Sequence, residues 1–230
     1  MIHTVFKDIG FIDYSEAWDY QKDIYNKVLS SKPKININTN GSSFLNYLIF
    51  CEHPHVYTLG KSGSESNLLI NHIQLQAKEA AFYKTDRGGD ITYHGPGQIV
   101  GYPIINLEAI GIGAKEYVFR IEETIIKTLS EFSVKSGRLK NATGVWLDAE
   151  NSKARKICAI GVKISRAITM HGFAFNINTD LSYFNYINPC GFTDKPATSL
   201  EKELYCKQNM QKVKNILKNN FAEVFDMAIM

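Results

Sequence analysis

No apolar run in the sequence approaches the ~20 residues needed to span a bilayer, so a transmembrane helix is not expected. The opening residues, Met1 to Asp8, contain neither an apolar signal core nor a cleavage site, and a cytoplasmic protein is expected. Cysteine is scarce: four residues, Cys51, Cys158, Cys190 and Cys206, stand in a chain of 230. That number in a chain of this length argues against a disulfide framework and for a reduced compartment. Charge of one sign is lacking too, with 26 basic residues against 23 acidic ones and a net charge of +3. With no arginine-rich arm and no aromatic RNA-binding signature, nucleic acid is not an expected partner. There is no Walker A loop, no Gly-x-Gly-x-x-Gly, no internal repeat and no low-complexity tract. What remains is 44% hydrophobic and 21% charged, the composition of an ordinary soluble protein able to bury a sizeable core.

The hydrophobic periods give a mixed order of elements. Residues 15 to 29 keep a helical period through Trp18, Gln21, Tyr25, Val28 and Leu29, and Pro33 lies beyond the end. Residues 30 to 43, rich in lysine, asparagine and serine, read as an exposed loop. Asn46 to Cys51 predicts a buried strand. Asn71 with Gln74 forms the pattern of a capping box, opening a short helix through Ala80. Phe82 to Thr85 predicts a short strand, and Gln98 to Leu107 another whose Pro103 suggests an edge or an irregularity. The longest helix is expected from Ala114 to Phe132, on the stripe Tyr117, Ile121, Ile125, Leu129 and Phe132. Gly144 to Leu147, Lys156 to Ile164 and Ile168 to Ile177 read as strands joined without helices. Leu204 to Phe225 reads as amphipathic helix in two pieces. Several strands joined directly favour an α+β fold, a mixed sheet flanked by helices, over a Rossmann fold.

Four segments can carry chemistry. In Pro189-Cys190-Gly191, a proline with fixed φ and a permissive glycine place a thiol on a turn rather than in a core. Lys156 is its candidate partner, because a nearby cation lowers a thiol pKa and yields thiolate at neutral pH. The alternative is a small buried hydrophobe. The stretch Arg87-Gly88-Gly89-Asp90-Ile91-Thr92-Tyr93-His94, continuing to Gln98, surrounds polar side chains with glycines that let a backbone approach a ligand. Its alternative is a pair of tight turns around a strand, Ile91 to His94. Cys51, His53 and His55 form a Cys-x-His-x-His run, but the spacing does not suit a structural zinc site, and a loop facing the same pocket is the preferred reading. Ala159, Ile160 and Gly161, and then Gly172, Phe173 and Ala174, put small residues on adjacent strands, leaving room for a chain to lie on the sheet or serving only close strand packing.

Taken in order, these blocks resemble the lipoyl(octanoyl) transferase family. The resemblance rests on Glu52-His53-Pro54 with Tyr57 to Gly60, Arg87-Gly88-Gly89 with Thr92 to Gln98, Lys156 with Ala159-Ile160-Gly161, His171 to Ala174 with Asn176, and Pro189-Cys190-Gly191. The chain departs from the family in its loop at 30 to 43, and at Ala159, where a serine is the expected residue. The resemblance implies the catalytic fold shared by biotin and lipoate protein ligases, as one domain over residues 1–230, with a core of about 45–200 and helices over about 200–226. It implies that Cys190 accepts an octanoyl group as a thioester and that Lys156 lowers its pKa. Arg87 to His94, Ala159 to Gly161 and Gly172 to Ala174 are implied to line the acyl pocket. The implied donor is octanoyl-acyl carrier protein. The implied acceptors are lipoyl domains of 2-oxoacid dehydrogenases and the glycine-cleavage H protein, with no metal and no cofactor. Lys153, Arg155, Lys156 and Lys163 are close in sequence and suit acidic partners. An ATP-dependent ligase of the same fold, an amidotransferase and an acyl- or metal-binding module remain open alternatives.

Overall fold

The computed structural model describes residues 2–32, 45–188 and 195–230. The Pro189-Cys190-Gly191 turn and nearly all of the loop at 30 to 43 lie outside the described residues. The elements run β1 (Ile2–Phe11), α1 (Tyr14–Ser30), β2 (Asn46–Glu52), β3 (Val56–Leu59), α2 (His72–Ala77), β4 (Ala81–Lys84), β5 (Ile91–His94) and β6 (Gln98–Ile104). Then come α3 (Ala114–Ser130), β7 (Gly137–Leu139), β8 (Ala142–Leu147), β9 (Arg155–Ser165), β10 (Ile168–Asn176), α4 (Leu200–Leu204), α5 (Met210–Phe225) and β11 (Met227–Ile229).

An eight-stranded sheet has the order β11-β1-β2-β6-β10-β9-β8-β7, and a three-stranded sheet the order β4-β3-β5. β1 runs parallel to β2 and to β11, while β2, β6, β10, β9, β8 and β7 pair antiparallel, so the large sheet is mixed and the α+β expectation holds. Its central strands are covered on both faces. Leu48 and Phe50 of β2 face a core completed by Tyr117, Ile121 and Leu129 of α3 and by Leu217 and Phe221 of α5. Ile49 and Cys51 face Ala17, Ile24 and Val28 of α1. This double burial explains the unbroken apolar run of β2.

Local chemistry set several boundaries. The Asp13 side chain caps α1 by accepting from Ser15 N at 2.9 Å. The Asn71–Gln74 capping box forms as expected, yet α2 stops at Ala77 rather than Ala80, and Glu79 turns left-handed at φ 52°. The buried stripe of α1 is Tyr14, Ala17, Gln21, Ile24 and Val28, shifted from the one read around Trp18 and Tyr25. β1, β3, β7 and β11 were not anticipated, because short or polar-interrupted strands carry little period-two signal.

Pro103 marks an irregularity rather than an edge, one of the two readings its sequence allowed. It sits inside β6, between β2 and β10, not at a sheet edge. The ladder from β10 to β6 stops at Gly101, where His171 of β10 adopts φ 59° while its pairing with β9 continues unbroken. A Cβ on Gly172 would lie 2.7 Å from Pro103 Cδ, so the proline ring fills the side on which its missing N–H would have needed a partner.

Candidate active site

A cavity of about 1010 Å³ opens between the β9–β10 face of the large sheet and the small sheet. Its floor is made by the small-residue strands. Gly172 stands directly opposite Gly161, and Ala174 opposite Ala159, two in-register pairs that all line the cavity. Phe173 and Ile160, paired between them, also line the cavity while packing into the main core, where Cys158 is buried. The two glycines answer mainly to close packing: a Cβ at Gly172 would meet Gly101 O at 2.1 Å, and one at Gly161 would meet Gly88 O at 2.9 Å. Gly161 therefore lets the Arg87-Gly88-Gly89 loop settle on the sheet, where Gly88 N donates to Val162 O at 2.9 Å.

Lys156 reaches the same face through a bulge. Val145 pairs with Cys158 but Trp146 with Lys156, which leaves Ile157 extra. Ile157 and Cys158 are both fully buried in the main core, and strict alternation would have sent Lys156 to the wrong face relative to Ala159. The Lys156 ammonium lies over the Trp146 ring at 4.6 Å from its centre. Its main chain binds the segment that follows the Pro-Cys-Gly block: Lys156 N donates to Pro196 O at 3.0 Å, and Thr198 N donates to Lys156 O at 2.9 Å. Asn188 and Lys195, on either side of residues 189–194, both line the cavity.

The small sheet supplies the opposite wall. Ile91, Thr92 and His94 line the cavity, as do Arg87, Gly89 and Asp90 before them. The predicted residues Gly88 and Tyr93 do not. Tyr93 alternates to the far face of β5, where its hydroxyl shares a hydrogen bond with His55 Nδ1 at 2.7 Å and its ring stacks on Tyr183 at 5.0 Å. Arg87 is nearly buried; its guanidinium donates to Thr58 O at 2.6 Å, to Thr58 Oγ1 at 3.0 Å and to Gly88 O at 3.1 Å. His94 Nδ1 donates to Gln98 Oε1 at 2.9 Å, Gln98 Nε2 to Asn176 Oδ1 at 2.8 Å, and Asn176 Nδ2 to Thr198 O at 3.0 Å. This chain of buried hydrogen bonds ties the small sheet to the strand segment held by Lys156.

Cys51, His53 and His55 do not form one cluster. His53 Nδ1 donates to Ile12 O at 2.8 Å and Nε2 accepts from the Tyr102 hydroxyl at 2.7 Å, behind the cavity wall, whereas His55 faces Tyr93 on the other side of the small sheet. Neither histidine lines the cavity. Sequence reading missed Tyr14, Tyr102, Trp146, Lys195 and Lys202, which do. Lys195 alone had a signal, its nearness to the cysteine turn. The others arrive from distant elements with no local motif.

Electrostatics at the closed end favour neutral imidazoles. Burial pushes the His94 pKa well below the usual imidazole value, with His53 adding to the effect, and burial likewise lowers His53 and His171. The hydrogen bond from His171 Nε2, at 2.7 Å, together with Lys163 at 2.5 Å, holds the Asp86 carboxyl well below the usual carboxylate range. A histidine with a depressed folded pKa contributes stability that is complete above its unfolded value, about 6.5, and that is lost as pH falls toward the folded one. Melting temperature is therefore expected to be flat from pH 7 to 8.5 and to drop below about pH 6.5, each histidine adding up to about 1.4 kcal/mol per pH unit. Thermal melts between pH 5 and 8.5 check this; no decline between pH 6.5 and 5 refutes it.

Comparison with known proteins gives the arrangement its family. Residues 13–222 match the Lipoyl protein ligase A/B catalytic domain family. An octanoyltransferase of Bacteroides fragilis is 53% identical over 214 residues, 93% of this chain and 94% of that protein. The chain belongs to the octanoyltransferase family. It is an enzyme, an acyltransferase. Solved structures show the same fold at low identity. A bi-partite lipoate protein ligase with its E2 lipoyl domain from Thermoplasma acidophilum superposes at a TM-score of 0.71 and 11% identity, covering all of this chain and 86% of that one. A biotin protein ligase from Aquifex aeolicus, in complex with biotin and ATP, superposes at 0.53 and 9% identity over 97% of this chain and 70% of that one. The ligase-like catalytic fold expected from the sequence is thus present. Among the described residues, no helix is long and apolar enough to cross a membrane.

Proposed function

We propose that this octanoyltransferase takes its acyl group from octanoyl-acyl carrier protein, holds it as a thioester on Cys190, and delivers it to a lysine of a lipoyl domain or of the glycine-cleavage H protein. All 230 residues act in this reading as one cytoplasmic catalytic domain. The observation that carries it is the placement of both described flanks of the cysteine block, Asn188 and Lys195, on the wall of the cavity that Lys156 also lines. Lys156 is proposed to favour the Cys190 thiolate and then to move the proton between the thiol and the acceptor amine. Thioester exchange is nearly isoenergetic and amide formation from a thioester is downhill, so the reaction needs no ATP.

Arg87 to His94, Ala159 to Gly161 and Gly172 to Ala174 are proposed to hold the chain, Gly88 through the loop it shapes and Tyr93 through the sheet it anchors. Burying about six methylenes is worth roughly 5 kcal/mol at ~0.8 kcal/mol each. Mass spectrometry after incubation without ATP tests the function. An octanoyl mass on Cys190 from the carrier protein supports it. Labelling only from octanoylated H protein indicates an amidotransferase, and labelling from neither indicates a ligase or a binding module.

Chain length gives a second test. Ala159→Leu, opposite Ala174, is expected to spare short acyl donors and to penalise octanoyl by about 0.8 kcal/mol, roughly fourfold, per excluded methylene. Equal slowing of all donors on the folded variant would instead make Ala159 a packing residue.

A further inference from the structure

The mouth of the cavity carries positive charge that an acyl chain does not need. The buried liners Tyr14, Arg87, Tyr102 and His171 mark the closed end, and the exposed liners that mark the open one include Leu69, Ser182, Asn185, Pro196 and Lys202. Charged liners are Arg87, Lys156, Lys195 and Lys202 against the single carboxylate of Asp90. The Asp90 oxygens are engaged, Oδ2 by Asn67 Nδ2 at 2.7 Å and Oδ1 by Ile91 N at 2.6 Å. Glu203, next to Lys202 on α4, is turned away to Arg155 at 2.7 and 2.5 Å and to the Thr198 hydroxyl at 2.5 Å. Two of the cations grouped with Lys156 in the sequence are neutralised, Arg155 by Glu203 and Asp148, and Lys163 by Asp86. Lys202 itself forms no ion pair among the described residues.

We propose that Lys202, an exposed liner at the open end of the cavity, forms an anion subsite for the phosphodiester of the prosthetic arm that carries the acyl thioester. The proposal rests on the acyl-transfer reading above. A thioester presented near Lys156 leaves the rest of its arm running outward, toward the open end where the exposed Lys202 stands. An ammonium binds a phosphate as a compact point charge on a flexible stem, which suits a group that must enter and leave at each turnover.

Transfer from octanoyl-phosphopantetheine and from octanoyl-pantetheine, which differ only in the phosphate, tests it. At low salt the full chain is expected to use the phosphorylated donor with about fivefold higher kcat/KM, the upper range for an exposed ion pair. Lys202→Ala is expected to collapse that ratio toward one and Lys202→Arg to retain it. Equal use of both donors by the unaltered protein, or a ratio unchanged by Lys202→Ala, overturns the subsite and leaves the transferase reading standing; the second result assigns the preference to another cation. If the unaltered protein uses neither donor, the subsite is overturned, because an arm anchored by its phosphate should serve as a donor without its carrier; the transferase reading is then judged by the carrier-protein labelling alone.

Discussion

Replacing Cys190 with serine is expected to abolish octanoyl transfer while leaving the fold intact. The reaction as proposed needs a group that attacks one thioester and becomes another. A serine hydroxyl at neutral pH is a far weaker nucleophile than a thiolate, and an ester on serine would be a poorer acyl donor than a thioester. Loss should reach several orders of magnitude. The other cysteines offer no equivalent: Cys51 and Cys158 are fully buried, and burial pushes both thiols above the range in which a thiolate forms at neutral pH. Cys206 is exposed and lies outside the cavity lining, at the junction between α4 and α5. Turnover and intact-mass measurements on the four single serine variants decide the matter. Near-normal turnover by Cys190→Ser, with loss in any of the other three, would move the nucleophile elsewhere.

Lys156→Ala carries the second large effect. A cation near a thiolate lowers its pKa by roughly 1–3 units. Removing it is expected to raise the Cys190 pKa and to slow alkylation at pH 7 by about tenfold for each unit. Transfer should fall further, since the same ammonium is proposed to handle the proton of the acceptor amine. The lysine backbone, which holds Pro196 and Thr198, is kept by the alanine variant, so the segment after the cysteine block retains its anchor. Iodoacetamide kinetics across pH separate this role from steering. An unchanged profile with an altered salt dependence of turnover would leave Lys156 as a residue that only attracts acidic partners.

Much of the site was legible because its signals are local. The capping box at Asn71, the long helix α3, and the strands β2, β9 and β10 follow from short-range periods and caps. The density of glycines and polar side chains from Arg87 to Gln98 marked a ligand-facing stretch, and half of it, Arg87, Gly89 to Thr92 and His94, does line the cavity. Tyr93 was misplaced because nothing local said which face of a four-residue strand would look inward. His53 and His55 were misplaced for the same reason: two residues apart, they would share a face on a regular strand, but here they lie past the end of β2 and before β3, on separate walls.

The sequence alone determined the fold class, the types of the longer elements and the identity of the small, polar and nucleophilic residues, since these depend on composition and on periods within a few residues. Tertiary structure decided which of them meet. The extra residue at Ile157 turns Lys156 into the cavity, strand register sets Ala159 against Ala174 and Gly161 against Gly172, and the left-handed His171 admits Pro103 to a central strand. Tyr14 from α1 and Lys202 from α4 complete opposite ends of one cavity although nearly the whole chain separates them. Register, bulges and the docking of distant elements depend on pairing partners far away in sequence, and no local period encodes them.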